Sequence, residues 1–596
     1  MNPSRRALPG TEVPWAWPAP WMRQWRREWL HGDLTAGLVV AVMLVPQSLA
    51  YAMLAGLPPQ AGLLASLLPL LLYALVGSSS AMSVGPGAIT SLMVAQALAP
   101  LARAGSADYI AMAGVMALGS AALMLLMGVL RMGFLSQLLS RPVVQGFTAA
   151  SALLILFGQI APLLGMGAWG ATLPDMLHGA WLRLMAREPL HVGDALAGLG
   201  ALIMLTLLGP LVRAVGRVFG ASATTLAIQE RLGPVWVLGL VAWLASQMSA
   251  WGMAPPALVG AVSLSGALSF NADITTLASQ GAGLRALLMP TMLLALVGFV
   301  SSMSVAQTFA LKHGERVDAD RELLGLGLAN LGSTLLGGMP VSGGLSRSAV
   351  NEAAGARSPL AGVISAALLA AMLLLLMPWL AWLPKAALAA VIIYAIAGLV
   401  EWQSLKAAWR YDRADAGAFI STAAGVLLIG FEAGLMLGLA WSLAAMVWRH
   451  SQPHMAEVGR LPGTAHYRNV ARYEVDTLPD AVMVRVDESL DFTNIQRVEL
   501  KLCELVHGRS GGQSTVNHVV LLLSAVNHID HTAVQALIDL DKALADQGKT
   551  LHLAEVKGFV MDRLKAAGFD ARFAGRHHLS AQEAWDALSS ARVAAV

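Results

Sequence analysis

Charge is what this chain has least of: 13% of its 596 residues are charged, where soluble domains carry about a quarter. With 56% hydrophobic residues, that scarcity excludes an ordinary soluble globular protein and points to the bilayer. A single cysteine, Cys503, excludes an internal disulfide and a multi-cysteine zinc site, and fits a reducing compartment for its part of the chain. No metal site and no cofactor are expected. Zinc-binding HExxH and phosphate-cradling GxxxxGK motifs are missing, and "GLGLAN" (325–330) fails the dinucleotide pattern at its sixth place, so no enzyme is expected; those small residues suit close helix packing instead. Net charge is only +3 and no basic stripe is interleaved with aromatics, which argues against a nucleic-acid partner. The first 33 residues lack the apolar core and small-residue cleavage site of a signal peptide. They carry Trp15, Trp17, Trp21, Trp25 and Trp29 beside Arg23, Arg26 and Arg27, the composition of a segment lying at the cytoplasmic membrane surface.

What is present divides the chain. Residues 1–32 read as that surface segment, 33–450 as a transmembrane domain, 451–470 as a linker and 471–596 as a soluble α/β domain. Apolar windows fall near 33–51, 60–76, 108–128, 143–165, 194–212, 234–250, 288–310, 321–337, 359–380, 386–400, 415–431 and 433–449. Two shorter segments, "AMSVGPGAITSLMVAQALAP" (81–100) and "MPVSGGLSRSAVNEAAGA" (339–356), each join a Gly/Pro/Ser break to a short helical pattern. Counting them gives fourteen elements, seven in each half, with a broken helix third in each group. An odd number per half makes the halves opposite in orientation, and paired broken helices point to an inverted-repeat transporter with a site at mid-membrane. Placing the N-terminus inside puts Arg131, Arg141, Arg213, Arg217, Arg231, Lys312, Arg316, Arg321, Lys406, Arg410, Arg413 and Arg449 on the cytoplasmic side, as the positive-inside rule requires.

Broken helices survive in hydrocarbon only where they line a cavity or bury against protein. A helix N-terminus there offers free N–H groups and about half a positive charge, so two such ends plus Arg347 sum to roughly +2. That attracts an anion. Arginine in the membrane costs about 2.5–3.5 kcal/mol on the lenient scale, so it marks function or pairing. Glu352, five residues on, is a candidate partner.

These stretches resemble a family. "GDLTAGLVVAVMLVPQSLAYAMLAGLPPQAGL" (32–63), "SVGPGAITSLM" (83–93), "DADRELLGLGLANLGSTLLGGMPVSGGLSRSAVNEAAGARSPLAG" (318–362) and "LPKAALAAVII" (383–393) look like the SulP, or sulfate permease, family of anion transporters, which includes prestin and pendrin. The tail, with "SAVNHIDHTAVQAL" and "LHLAEVKGFVMDRL", is similar to the STAS domain that ends those chains. The resemblance implies an α-helical polytopic membrane protein of fourteen spans in a seven-plus-seven inverted repeat, a core moving against a gate in an elevator-like cycle, a homodimer and a cytoplasmic STAS domain. It also implies an anion site between the third and tenth helix N-termini: Gly87 and Ala88 on one side, Gly344, Leu345, Ser346 and Arg347 on the other, with Gln47 and Tyr51 from the first helix.

One departure bears on the energy source. Many bacterial and plant members carry an acid where this chain has Ser301, so H+ or Na+ symport by that route is not expected and exchange or uncoupled flux gains ground. Glu432, between two apolar windows, reads as an extracellular turn, and Asp33 as a helix N-cap. Segment 212–233 is longer than the family leads one to expect. In the tail, "NHIDHTAV" opens a helix where related stand-alone domains place a phosphorylated residue; here His531 precedes Thr532, and a docking or dimer-stabilising module is the stronger reading. The sum is a carrier of a small anion, sulfate by default, in the cytoplasmic (inner) membrane with both termini inside. Its partners are the anion, the lipid bilayer, a second copy and a cytoplasmic protein at the STAS domain. Bicarbonate, chloride or a dicarboxylate are alternative cargoes, and an anion-responsive sensor acting through the STAS domain is the alternative class.

Overall fold

The computed structural model describes residues 20–137, 140–218, 223–260, 281–397, 402–508 and 516–595. Its contacts divide the chain into two compact units, Met1–Ser442 and Leu443–Val596.

The first unit is helical. A short turn α1 (Pro20–Gln24) leads to α2 (Leu30–Leu54), then to a broken pair, α3 (Pro59–Leu64) and α4 (Leu68–Val76). The first half-helix follows: strand β1 (Val84–Gly85) and α5 (Ala88–Leu98). Long helices α6 (Ala107–Val129) and α7 (Arg141–Leu163), the amphipathic α8 (Leu173–Met185), and α9 (Val192–Val218) and α10 (Ala223–Met248) complete the first set. The second set repeats the order: α11 (Gly281–His313), α12 (Ala319–Leu335), strand β2 (Ser342–Gly343) with half-helix α13 (Leu345–Ala353), α14 (Leu360–Leu380), α15 (Lys385–Ile396), a peripheral α16 (Trp402–Tyr411), α17 (Arg413–Leu428) and α18 (Phe431–His450). Among the described residues, seven helices are long and apolar enough to cross a bilayer alone; α5, α14 and α15 are among the shorter apolar ones. Side chains such as Leu374, Leu375 and Trp379 stand largely exposed on α14, which in water would be a large cost and in lipid is none. Segment 212–233 is the end of α9 and the start of α10, extended as helix on either side of residues 219–222, which lie outside the described set.

Small residues set the packing. Gly327 on α12 faces Leu125 of α6 and Gly325 faces Tyr73 of α4, each at a distance where an added Cβ would crowd the neighbour. Asp33 is not the N-cap expected of it, because α2 begins three residues earlier. Its buried carboxylate instead accepts from the Arg357 and Ser358 N–H groups and the Ser358 hydroxyl at 2.8, 3.1 and 2.6 Å, tying the two halves together. Trp21 and Trp25 donate to the Ala74 carbonyl and to Asp33, so this N-terminal stretch docks on the helices; Trp15 and Trp17 lie outside the described residues.

Among the described residues, the second unit is built on six strands, β3 (Met455–Arg460), β4 (Tyr467–Asn469), β5 (Ala481–Val486), β6 (His518–Leu522), β7 (Thr550–Ala554) and β8 (His577–His578), in the sheet order β4-β3-β5-β6-β7-β8 with β5 to β8 parallel. The stretch 451–470, expected as a linker, folds into it: β3 (Met455–Arg460) runs antiparallel to β5, and β4 (Tyr467–Asn469) to β3. Strand alternation sends Val519, Leu521 and Leu553 to a core with α19 (Ile495–Gly508), α20 (His531–Ala545) and α21 (Gly558–Ala566). Val520, Leu522 and Ala554 face the other way, onto Trp585 and Leu588 of the last helix, α23 (Ala581–Ala595), which follows the short α22 (Phe569–Arg572). On that face His518, His552 and His578 form a chain, with N···N separations of 3.2 Å at each link.

Candidate anion-binding site

The two half-helices meet through their strands. β1 and β2 pair antiparallel, Val84 with Gly343 and Gly85 with Ser342, although they lie in opposite halves of the sequence. Each Gly/Pro/Ser break thus satisfies its backbone against the other and hands the chain into a helix: Gly87 is the N-cap of α5 and Gly344 of α13, both extended. Thr90 secures the first by accepting from the Gly87 N–H at 3.2 Å and returning a bond to its carbonyl at 3.0 Å. The first N–H groups of each helix have no intrahelical acceptor.

Arg347 lies in the first turn of α13 and is 2% exposed. It does not meet Glu352, which instead faces His313 at 3.6 Å and Lys312 at 3.8 Å; five residues turn a helix about 140° past the starting face. Its guanidinium reaches across the repeat, donating through Nη1 to the Pro86 carbonyl and through Nη2 to that of Ser342 at 3.4 Å. Its Nε has no partner among the described residues. Room for the group comes from two glycines: a Cβ on Gly85 would lie 3.4 Å from the guanidinium carbon, and one on Gly344 2.9 Å from Nη2.

Gln47 and Tyr51 sit one turn apart on α2, both 8% exposed, and α2 packs against both half-helices. Gln47 and Ser346 line one cavity of about 280 Å3, and the Gln47 Oε1 has no partner among the described residues. Tyr51 and Arg347 are near enough to interact electrostatically. Ala88 is buried in the first turn of α5, while Leu345 and Ser346 are exposed at the start of α13.

Ser301 stands apart from that cavity. Its hydroxyl donates to the Val297 carbonyl of its own helix at 2.7 Å, beside a small gap shared with Ile89, Phe147 and Leu435. Its neighbour Ser302 does the bridging, accepting from the Gly343 N–H at 2.8 Å. Sequence reasoning missed Ser302, and also Asn330, whose amide donates to the Val341 carbonyl at 3.0 Å and accepts from its N–H at 2.9 Å. Ser348 accepts from the Ser83 N–H at 3.0 Å, and Asn351 donates to the Ala81 carbonyl at 3.0 Å. In the second unit His531 and Thr532 are exposed in the first turn of α20. That helix start already holds an anion of its own: the Asp530 carboxylate accepts from the Ala533 N–H at 2.7 Å and the Phe492 N–H at 2.9 Å.

Paired half-helices inside an apolar helical unit define a polytopic membrane transporter. The sequence profile of the sulfate permease family matches residues 30–422, and that of the STAS domain residues 472–584. Among curated relatives, sulfate transporter 4.1 of Arabidopsis thaliana, a chloroplastic protein, is 32% identical over 87% of this chain and 76% of its own length. A probable sulfate transporter of Mycobacterium tuberculosis is 32% identical over 90% of this chain and 91% of its own. A solved structure of SLC26A9 superposes with a TM-score of 0.81 at 18% identity, covering 96% of this chain and 92% of that one. The chain belongs to the sulfate permease family of anion transporters.

Proposed function

We propose that this protein is a secondary transporter carrying a small inorganic or carboxylate anion, sulfate by default, bound between the N-termini of α5 and α13. The observation that carries the reading is the β1–β2 pairing, which aims two helix starts toward one place with Arg347 buried beside them. Fixed dipoles and one permanent cation recognise negative charge with little reorganisation. Ala88, Leu345 and Ser346 supply backbone donors, Gly87 and Gly344 are the N-caps that lead into them with their own N–H groups already bonded to Thr90 and Ser83, Gln47 offers an amide and Tyr51 an aromatic wall with a hydroxyl. The names of the two sulfate transporters support sulfate.

Transport proceeds by an elevator-like movement of a core carrying both half-helices against a gate, in a homodimer of the cytoplasmic membrane with both termini inside. The second unit serves as a docking or dimer-stabilising module. With a hydroxyl at Ser301 spent on its own helix, exchange or uncoupled flux is the expected mode. The test is uptake into proteoliposomes of sulfate, bicarbonate, chloride and a dicarboxylate under imposed pH, Na+ and voltage gradients. Saturable uptake of one of them supports the reading. No flux of any, with anion-dependent partner binding by the second unit retained, replaces the transporter with a sensor.

A further inference from the structure

Among the described residues, the cavity shared by Gln47 and Ser346 has one carboxylate in its wall. Glu230, near the start of α10, lines it together with Met43, Pro234 and Tyr394. Its lining reaches the start of α13 at Ser346 but includes neither Arg347 nor α5, so the cavity adjoins the proposed anion site, and a negative charge facing it is electrostatically wrong unless it is compensated. The compensation is visible: Arg213, in the last turns of α9, holds Glu230 with Nε 2.9 Å from Oε1. The Nε–H itself is donated to the Gly209 carbonyl at 3.3 Å, so the contact with Glu230 is an ion pair without a hydrogen bond, and Oε1 has no hydrogen-bond partner among the described residues. The Arg213 side chain is 57% exposed and that of Glu230 30%, so the pair bridges from the open side of the helices to the cavity wall. Both residues lie in segment 212–233, which is longer than the family leads one to expect.

We propose that Arg213 and Glu230 form a charge gate on the cavity that opens at the start of α13, an inference that rests on the anion site proposed above. Closed, the pair is neutral and Glu230 faces the cavity. An incoming anion competes with the Glu230 carboxylate for Arg213, and as the pair opens the anion is drawn inward while the carboxylate moves off the wall. The rim charge then sets affinity by simple arithmetic. The intact pair contributes zero, Glu230→Gln leaves +1, Arg213→Gln leaves −1, and the double variant returns to zero. A merely structural ion pair predicts something else: both single variants lose in the same direction.

The experiment measures the apparent affinity of the purified full-length protein for each of sulfate, bicarbonate, chloride and oxalate, by equilibrium binding in detergent and by uptake into proteoliposomes. For the tightest-bound anion, Glu230→Gln is expected to lower the half-saturating concentration and Arg213→Gln to raise it, each by roughly three- to tenfold, as one partly screened unit charge does. The double variant should return to within about twofold of the parent, and raising ionic strength should shrink both single shifts. Shifts of the same sign in both single variants, or no shift in Glu230→Gln, overturn the gate while leaving the anion site standing. Binding of no anion by the parent protein overturns the anion site and the gate with it.

Discussion

Arg347 donates to the main-chain carbonyl of Pro86, a residue 261 positions earlier and in the opposite half of the chain. One bond therefore joins the ends of the two broken helices, and the cation of the proposed anion pocket also holds its walls in register. If the anion binds there as proposed, binding and folding are linked at Arg347.

Arg347→Ala should weaken anion binding roughly ten- to a hundredfold, the range expected for losing a charge-assisted donor, and should lower thermal stability in detergent. Arg347→Lys retains charge but not the fork that reaches two carbonyls, so it should recover part of the affinity and little of the stability. Gly344→Ala pushes a Cβ to 2.9 Å from the guanidinium, and should mimic a mild form of the arginine loss. Calorimetric titration with the transported anion and a melting curve for each variant check all three.

Asn330→Ala strands the N–H and C=O of Val341, both buried beside a side chain that is 0% exposed. Two unpaired buried groups cost about 1–3 kcal/mol each, so the melting temperature should fall while the expression-level fold survives. Because Val341 leads directly into β2, anion affinity should fall with it. A variant that melts lower yet binds anion normally would separate the strand's support from the site.

Half of this arrangement was readable in the sequence. The Gly/Pro/Ser breaks, the small-residue N-caps Gly87 and Gly344, and the lone Arg347 are local signals, each contained in a few consecutive residues. Ser302, Asn330 and Ser348 were not readable, since a serine or asparagine on an apolar helix carries no mark of a partner 41, 11 or 265 residues away. Glu352 misled because nearness in sequence was mistaken for a shared helix face. Asp33 misled because an acid before an apolar run looks like a cap when the helix has in fact begun at Leu30. The strand at 455–460 hid because only Ala456, Val458 and Gly459 within it are buried, a weak alternation beside proline and glycine.

Ser301→Ala should leave the anion dependence and the pH dependence of flux nearly unchanged, since its hydroxyl serves only carbonyls of its own helix. Ser302→Ala should not be silent: it removes the acceptor of the Gly343 N–H and should lower affinity and stability together. Parallel uptake measurements at pH 6 and pH 8 on the two variants distinguish a hydroxyl spent on its own helix from one that holds β2 in place.

The histidine chain of the second unit predicts acid sensitivity. Burial, then the charges of His518, His578 and Arg576, push His552 down to about 4, while an unfolded histidine titrates near 6.5, at about its ordinary value. The folded state therefore binds fewer protons, so the contribution is fully present above about pH 6.5 and is lost as pH falls from there toward 4. Amide exchange of β6, β7 and β8 in the full-length protein, corrected for intrinsic rates, should report a lower opening free energy at pH 5 than at pH 7.5. His552→Leu should flatten that dependence, and an unchanged slope would move the acid response elsewhere.

The central claim is that the anion sits where the starts of α5 and α13 converge, and anomalous scattering locates it directly. Crystals of the full-length protein grown with selenate, or with bromide where chloride proves to be the cargo, should show a scatterer between the first turns of the two half-helices, within reach of Arg347, and should lose it in Arg347→Ala. An occupied anion position elsewhere in the membrane unit, with that convergence empty at saturating ligand, would contradict the account.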